Sequence, residues 1–389
     1  MTVIWQTEEN ERSDALTNLY RDPVPFKVTK QSDLASLRKS WSKLVGIPTI
    51  LKGREDGLDH SFPGFDVRTL LTGDNSAGRV TYHDIKIDPG ASLPLHYQRQ
   101  AHTYLYVLEG DVELTIGSAT EKGSASTFGY APPKTTQGVR NVGSEPARVY
   151  VSYLPAGADR AFAEAHELWL AEGATVAEPY LAVLEKYGFC FDIDDPLEND
   201  ANVNGPTIRY ECEVKTIEDY QQLREDWKSR PGVPKLSLER PSDPSFVVPD
   251  PETGALVFPH ILATGDDTQG SAVFSDAAME PNYGAGPHHQ PTEEEAFFVL
   301  EGELDLLIGN QTVRVGPGAF GFAPRNTTHG FRNPQADGKQ TRFMTMNSPG
   351  GHERGFEQIL SHSSAIADGT GTFDDLLESM VAHGWLVHV

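Results

Sequence analysis

The chain is poor in cysteine, in positive charge and in long apolar runs. Cysteine occurs twice in 389 residues, as Cys190 and Cys212. Two cysteines cannot staple a chain of this length, and no CxxC pair is present, which excludes a disulfide framework and a zinc knuckle. Lysine and arginine total 32 against 56 aspartates and glutamates, a net charge of -24. A surface of that sign repels phosphate backbones and anionic bilayers, so neither nucleic acid nor a membrane is expected as a partner. No segment approaches about 18 consecutive apolar residues, the length that spans a bilayer. The opening MTVIWQTEENERSD lacks the basic start and apolar core of a secretory signal, and a cytoplasmic location is expected.

What is present is a repetition. Residues 96–117, HYQRQAHTYLYVLEGDVELTIG, and 288–309, HHQPTEEEAFFVLEGELDLLIG, agree at 9 of 22 positions at an offset of 192. At the same offset TFGYAPPKTTQGVRN (127–141) and AFGFAPRNTTHGFRN (319–333) agree at 9 of 15. Upstream, Val28, Asp33, Leu37, Arg38, Trp41, Gly46 and Pro48 recur 186 residues later. Downstream, the offset grows to 194 at RAF/RGF (160 and 354) and 196 at EKYGF/VAHGW (185 and 381). A slow drift means short loop insertions within one architecture repeated twice. The units are expected at 1–197 and 198–389, joined by the polar, acidic stretch 192–206.

Each unit runs through the same patterns. A helical spacing comes first: Leu34, Leu37, Trp41 and Leu44, then Tyr220, Leu223 and Trp227 in the second copy. Short alternating runs follow, broken by Gly, Pro and Asn. They are 79–87, 103–110 and 112–117 in one copy, and 271–279, 295–302 and 304–309 in the other. Helical stretches close each unit at 161–173 and 373–385. The expected fold is mainly β: two β-barrels or sandwiches, each with helical extensions.

The chemistry gathers at HHQPTEEE (288–295). His288 and Gln290 are two apart, on one face of a strand. Glu295 opens the next run on the face of Phe297 and Val299, which are expected to line an apolar substrate pocket. His329 follows a Gly-Pro-Gly turn and AFGFAP. Two imidazoles and one carboxylate are the composition of a facial triad that holds Fe(II) and leaves positions open. Gln290 is a candidate fourth oxygen ligand or a residue that orients one. Taken singly, such histidines are ordinary strand-end residues, and EEE is ordinarily a solvated turn; their combination carries the assignment. In the first copy the four positions read His96, Gln98, Thr103 and Gln137. The carboxylate and the last imidazole are missing, so that site is degenerate. His102, like His289, Glu293 and Glu294, falls on the neighbouring, non-ligand positions.

Gly284 or Gly286 leading to His288, Gln290, Glu295 and Gly302, then Gly316-Pro317-Gly318, Pro324, His329 and Asn333, resembles the paired motifs of the cupin superfamily. Two such units resemble a bicupin of jelly-roll barrels. FAPRNTTHGF (322–331) is most similar to the quercetin 2,3-dioxygenase (quercetinase/pirin-like) group, with specific motifs spanning about 50 residues per half. The resemblance implies O2-dependent ring cleavage of an oxygenated aromatic, flavonol-like or hydroquinone/gentisate-like, in the C-terminal unit. It implies Fe(II), with Mn, Ni, Co or Cu as alternatives, on His288, Glu295 and His329. It implies Glu295 as the base that takes the substrate proton, and a homodimer with a small aromatic and O2 as its partners. Gln290 stands where the family usually has a second histidine, which puts the flavonol assignment in doubt. An isomerase or decarboxylase on the same metal, and a non-catalytic binding bicupin, are the alternatives. The first unit is expected to be structural, pairing with the second or forming a dimer surface.

Overall fold

The computed structural model describes residues 20–172, 178–191, 197–249, 253–334 and 338–387. The repeat appears in it strand for strand. Each unit pairs a seven-stranded with a five-stranded antiparallel sheet, and the strand orders of the two units correspond throughout. They are open two-sheet jelly rolls, not closed barrels. The alternating runs become the strands Thr81–Ile87, His102–Glu109 and Val112–Ile116, and Val273–Met279, Glu294–Glu301 and Leu304–Ile308. The turns after LEG need positive φ, 84° at Gly110 and 76° at Gly302, which explains glycine in both copies.

The helical spacings fold as Asp33–Trp41 and Ile217–Lys228, with Leu34, Leu37 and Trp41, and Tyr220, Leu223 and Trp227, buried. Each tryptophan is locked by its indole N–H: Trp41 Nε1 donates to Asp74 Oδ1 at 2.9 Å and Trp227 Nε1 to Asp266 Oδ1 at 2.7 Å. The closing helices are Ala158–Glu172 and Phe373–Ala382; Glu178–Lys186 and His352–Ala367 are two more that the sequence pattern did not reveal. Residues 192–196 of the expected linker lie outside the described residues. Its remainder bonds both units: Asp200 accepts from the Thr136 N–H at 2.9 Å and its Oγ1 at 2.7 Å, and Asn204 donates to the backbone carbonyls of Pro234 and Leu236, each at 2.8 Å.

The units interlock. Thr49–Leu51 of the first pairs antiparallel with Phe320–Ala323 of the second, and Lys235–Ser237 of the second pairs with Phe128–Ala131 of the first. Between the units the outer faces of the two seven-stranded sheets meet in an aromatic layer. Tyr150 packs on Phe298 with ring centres 5.1 Å apart, Tyr82 on Phe320 at 5.2 Å and Phe128 on Phe274 at 5.0 Å. Buried within it, Tyr106 donates to Asp276 at 2.6 Å and accepts from Arg342 at 2.8 Å. Strands Ala147–Leu154 and Val273–Met279 are therefore buried along their whole length, one face toward their own interior and one toward the other unit. Their polar residues are buried too, Arg148 and Ser152 in one and Ser275 and Asp276 in the other. No helix among the described residues is long and apolar enough to cross a membrane.

Candidate metal centre

His288, Glu295 and His329 converge from three strands, with one ligand atom from each lying within 4.8 Å of the others. Register does this. His288 pairs with His329 across Gly284–His289 and His329–Arg332, after a shift in pairing between Ala285 and His288. Glu295, at the start of Glu294–Glu301 in the facing sheet, reaches His329 from across the sandwich. The imidazole centres are 4.4 Å apart, and His329 Nε2 lies 3.1 Å from Glu295 Oε2.

The tautomers follow from the partners. His288 Nδ1 is 2.9 Å from the Gly286 carbonyl and His329 Nδ1 is 2.8 Å from the Thr327 carbonyl. A carbonyl only accepts, so each Nδ1 carries the proton and each Nε2 presents a lone pair. Nε2 of His329 then faces a carboxylate oxygen at hydrogen-bond distance, lone pair against lone pair. A second proton or a shared cation must lie between them. Burial pushes His288 down to about 3, and the neighbouring His329 adds to this, so its imidazole is neutral and available as a ligand. Burial pushes the Glu295 carboxyl up, but His329, with a proton between the two groups, outweighs it and holds the carboxyl below its ordinary range. Gln290 is buried; its Nε2 approaches His352 Nδ1 at 3.2 Å and its Oε1 has no partner among the described residues. The donor set, with an orphaned amide oxygen beside it in sequence, fits a divalent metal.

The other glutamates of EEE are buried and paired, where such a run is ordinarily a solvated turn. Glu294 accepts from Arg325 at 2.8 Å, with Arg79 of the first unit 3.6 Å away. Glu293 accepts from Tyr220 at 2.6 Å and is ion-paired with Arg224. Glu294 and Glu295 point to opposite faces of their strand and Glu293 precedes it, so the three carboxylates meet different partners.

A cavity of about 700 Å³ opens on His288 and Glu295, between the sheets and the last helices. Phe297 and Val299 face the sandwich interior but lie in its packed core, outside the cavity lining; Phe297 contacts Phe331 and the edge of His329. The lining comes instead from Leu256–Ala263, Val273–Met279 and Thr341–Ser348, and from His352 and Phe356. His352 Nδ1 accepts from the Trp385 indole N–H at 3.2 Å. An indole nitrogen only donates, so the His352 proton sits on Nε2. The sequence pattern missed His352, Asn347, Ser275 and Trp385. Their signal was the same repeat, where the matching positions read Ala158, Tyr153, His83 and Phe189.

That comparison explains why the copies differ. In the first unit His83, Tyr153, Phe162 and Phe189 pack ring against ring, at 5.1 Å for His83–Phe162 and 5.7 Å for Tyr153–Phe189. The second unit has Ser275 and Asn347 in place of two of those rings, which leaves room for a cavity. The degenerate ligand positions are closed by their own hydrogen bond, Gln137 Nε2 to Thr103 Oγ1 at 2.8 Å. His96 Nδ1 donates to the Pro94 carbonyl at 2.8 Å, as His288 does to Gly286. Gln98 is buried and ends the same strand, Ser92–Gln98. His102 hydrogen-bonds Tyr130 at 2.8 Å, away from that cluster.

Residues 83–153 and 276–344 each match the family model described as Cupin domain. Quercetin 2,3-dioxygenase of Bacillus subtilis (strain 168) is 22% identical over 323 residues, covering 80% of this chain and 86% of that protein. Among solved structures, AerE from Microcystis aeruginosa aligns at 14% identity and a TM-score of 0.42, over 79% of this chain and 99% of that one. A variant of oxalate decarboxylase from Bacillus subtilis aligns at 14% identity and a TM-score of 0.46, over 83% of this chain and 84% of that one.

Proposed function

We propose that this chain, in which residues 83–153 and 276–344 each match a cupin domain, is a bicupin and a metal-dependent dioxygenase that cleaves an oxygenated aromatic ring in its C-terminal unit. One observation carries the reading: a cavity of about 700 Å³, walled by residues such as Val257, Ile261, Phe343 and Phe356, opens on a two-histidine, one-carboxylate cluster. An apolar chamber with a few polar groups suits a flat aromatic. A small dianion would need cationic partners, and the guanidinium on this wall, Arg332, is tied to Asp305 at 3.0 Å.

His288, Glu295 and His329 would hold the metal, with Gln290 Oε1 as a further oxygen. A bound divalent metal lowers the pKa of a coordinated hydroxyl and supplies a site for O2. The chain's own groups do the rest. Glu295 accepts the substrate's hydroxyl proton at a carboxylate oxygen. The Gly286 and Thr327 carbonyls fix the two imidazoles with Nε2 inward. The apolar walls orient the ring and exclude water. The relative from Bacillus subtilis supports dioxygenase chemistry on this architecture.

The test combines elemental analysis of protein purified without added metal with O2-consumption assays on flavonols, hydroquinones, catechols and gentisate. Stoichiometric metal with O2 uptake and a ring-opened product is the expected result. Metal with turnover but no O2 uptake would favour a decarboxylase or isomerase, and the absence of both would favour a binding protein.

A further inference from the structure

Asn347 stands out among the polar groups of the cavity. It lies on the cavity wall, the residue is 2% exposed, and its amide nitrogen Nδ2 is buried with no hydrogen-bond partner among the described residues. A buried amide left unpaired costs free energy comparable to a lost hydrogen bond, so proteins keep one only where a ligand or a water completes it. Strand register puts Asn347 directly opposite Glu295, across Thr341–Ser348 and Glu294–Glu301. Directly opposed residues point to the same face, with Cβ atoms about 5 Å apart. The unpaired amide is therefore the immediate neighbour of the carboxylate in the proposed metal cluster.

The first copy gives a reference within the same molecule. Its matching residue, Tyr153, is likewise opposite the degenerate ligand Thr103, and its ring packs against His83 and Phe189. There the position fills space. In the second copy an amide occupies it on the cavity wall, and its Nδ2 has no partner among the described residues.

We infer that Asn347 is a specificity-determining residue that holds a second polar oxygen of the substrate while the first oxygen reaches the metal cluster. The substrate class this selects is a ring bearing two oxygens, in preference to a monophenol. The amide is neutral and can both donate and accept, so it pairs with a carbonyl or hydroxyl oxygen without a compensating charge. This inference rests on the reading of the cavity as an aromatic substrate site.

The test is calorimetric titration of metal-loaded full-length protein, under anaerobic conditions, with phenol and with catechol, resorcinol and hydroquinone. Wild type, Asn347→Ala and Asn347→Leu are compared. At least one of the dihydroxybenzenes is expected to bind wild type about five- to tenfold more tightly than phenol, the worth of one neutral hydrogen bond. Both variants are expected to bind phenol as wild type does, to lose that preference and to retain full metal content. Asn347→Leu, which keeps the volume, is expected to unfold at the same or a higher temperature, since no protein hydrogen bond is lost. Equal binding of all four compounds by wild type overturns the inference and leaves the aromatic-site reading standing. A preference that survives in both variants also overturns it, by assigning the gain to the metal alone. Failure of every compound to bind wild type overturns the aromatic-site reading, and the inference with it. Asn347→Leu unfolding earlier with the preference intact would make Asn347 a water-bound structural amide.

Discussion

His329 Nε2 lies 3.1 Å from Glu295 Oε2 while its Nδ1 lies 2.8 Å from the carbonyl of Thr327. One ring nitrogen is committed as a donor to backbone, and the other is aimed at a carboxylate. Truncating either member of the pair is expected to abolish stoichiometric metal binding. His329→Ala and Glu295→Ala should retain less than a tenth of the wild-type metal by elemental analysis, with folding intact by circular dichroism. Gln290→Leu should weaken metal affinity by about 10- to 100-fold without abolishing it, as loss of a supporting oxygen does. Full metal content in Glu295→Ala would remove the carboxylate from the ligand set.

The degenerate copy predicts the opposite. Gln137→Ala is expected to leave metal content and activity at wild-type levels, because Gln137 already bonds Thr103 and no imidazole or carboxylate stands at either position. The double substitution Thr103→Glu with Gln137→His adds both missing groups beside His96, whose Nε2 is buried and unpartnered. Metal per chain should then rise from one toward two. An inactive Gln137→Ala protein would move the reaction to the first unit.

Acid stability should depend on buried histidines of the first unit. Burial pushes His83 down to about 3, and His96 and His102 down to about 4. Each is neutral when folded but takes a proton below about pH 6.5 when unfolded, so the unfolded state binds more protons between those limits. Stability from these groups is full above pH 6.5 and is lost as pH falls toward 4. Burial works the other way on Asp159, raised to about 6, and Glu353, raised to about 7, which add stability as pH falls through those values. His288 of the second unit, pushed down to about 3, acts in the same sense, and four imidazoles against two carboxyls leave a net loss in acid. Urea unfolding of metal-free protein should show stability falling from pH 6 to pH 4. His83→Gln should reduce that slope by roughly 1 kcal/mol per pH unit. An unchanged slope would mean that His83 does not control it.

Exchanged strands and the aromatic layer should make the two units one cooperative body. Phe274 contacts Tyr104, Tyr106 and Phe128 of the other unit, with ring centres 5.0 to 6.2 Å apart. Phe274→Ala is expected to destabilise the whole chain by about 3–5 kcal/mol, the cost of an unfilled aromatic site. Scanning calorimetry should show a single transition for wild type, moved to lower temperature in the variant. Two well-separated transitions in wild type would show that the units unfold independently.

Much of the architecture is legible in the amino-acid sequence. The 192-residue offset carries the duplication, and alternation within EAFFVLEG and LDLLIG carries the strands. The spacing of Leu34, Leu37 and Trp41 carries the first helix. These are local signals, written in side-chain periods of 2 and 3.6 residues. The candidate ligands were legible for a related reason: His288, Glu295 and His329 stand in a register that the first copy repeats with weaker residues. The same alternation correctly turned Phe297 and Val299 inward.

What alternation leaves open is where along the inner face a cavity begins, and that is a matter of tertiary packing. Phe297 and Val299 became core, while Asn347, Ser275 and His352, from other strands and a later helix, came to surround the open space. Glu293 and Glu294 look solvated in sequence and are buried, because Arg224, Arg325 and Arg79 reach them from distant segments. The exchange of Thr49–Leu51 for Lys235–Ser237 between the units has no local signature either. The repeat, the strand faces and the candidate ligand positions are local properties, since each rests on neighbours a few residues apart or on a copied pattern. The tertiary structure alone decided the cavity, the partners of the buried charges and the interlocking of the units, since each depends on contacts between segments tens to hundreds of residues apart.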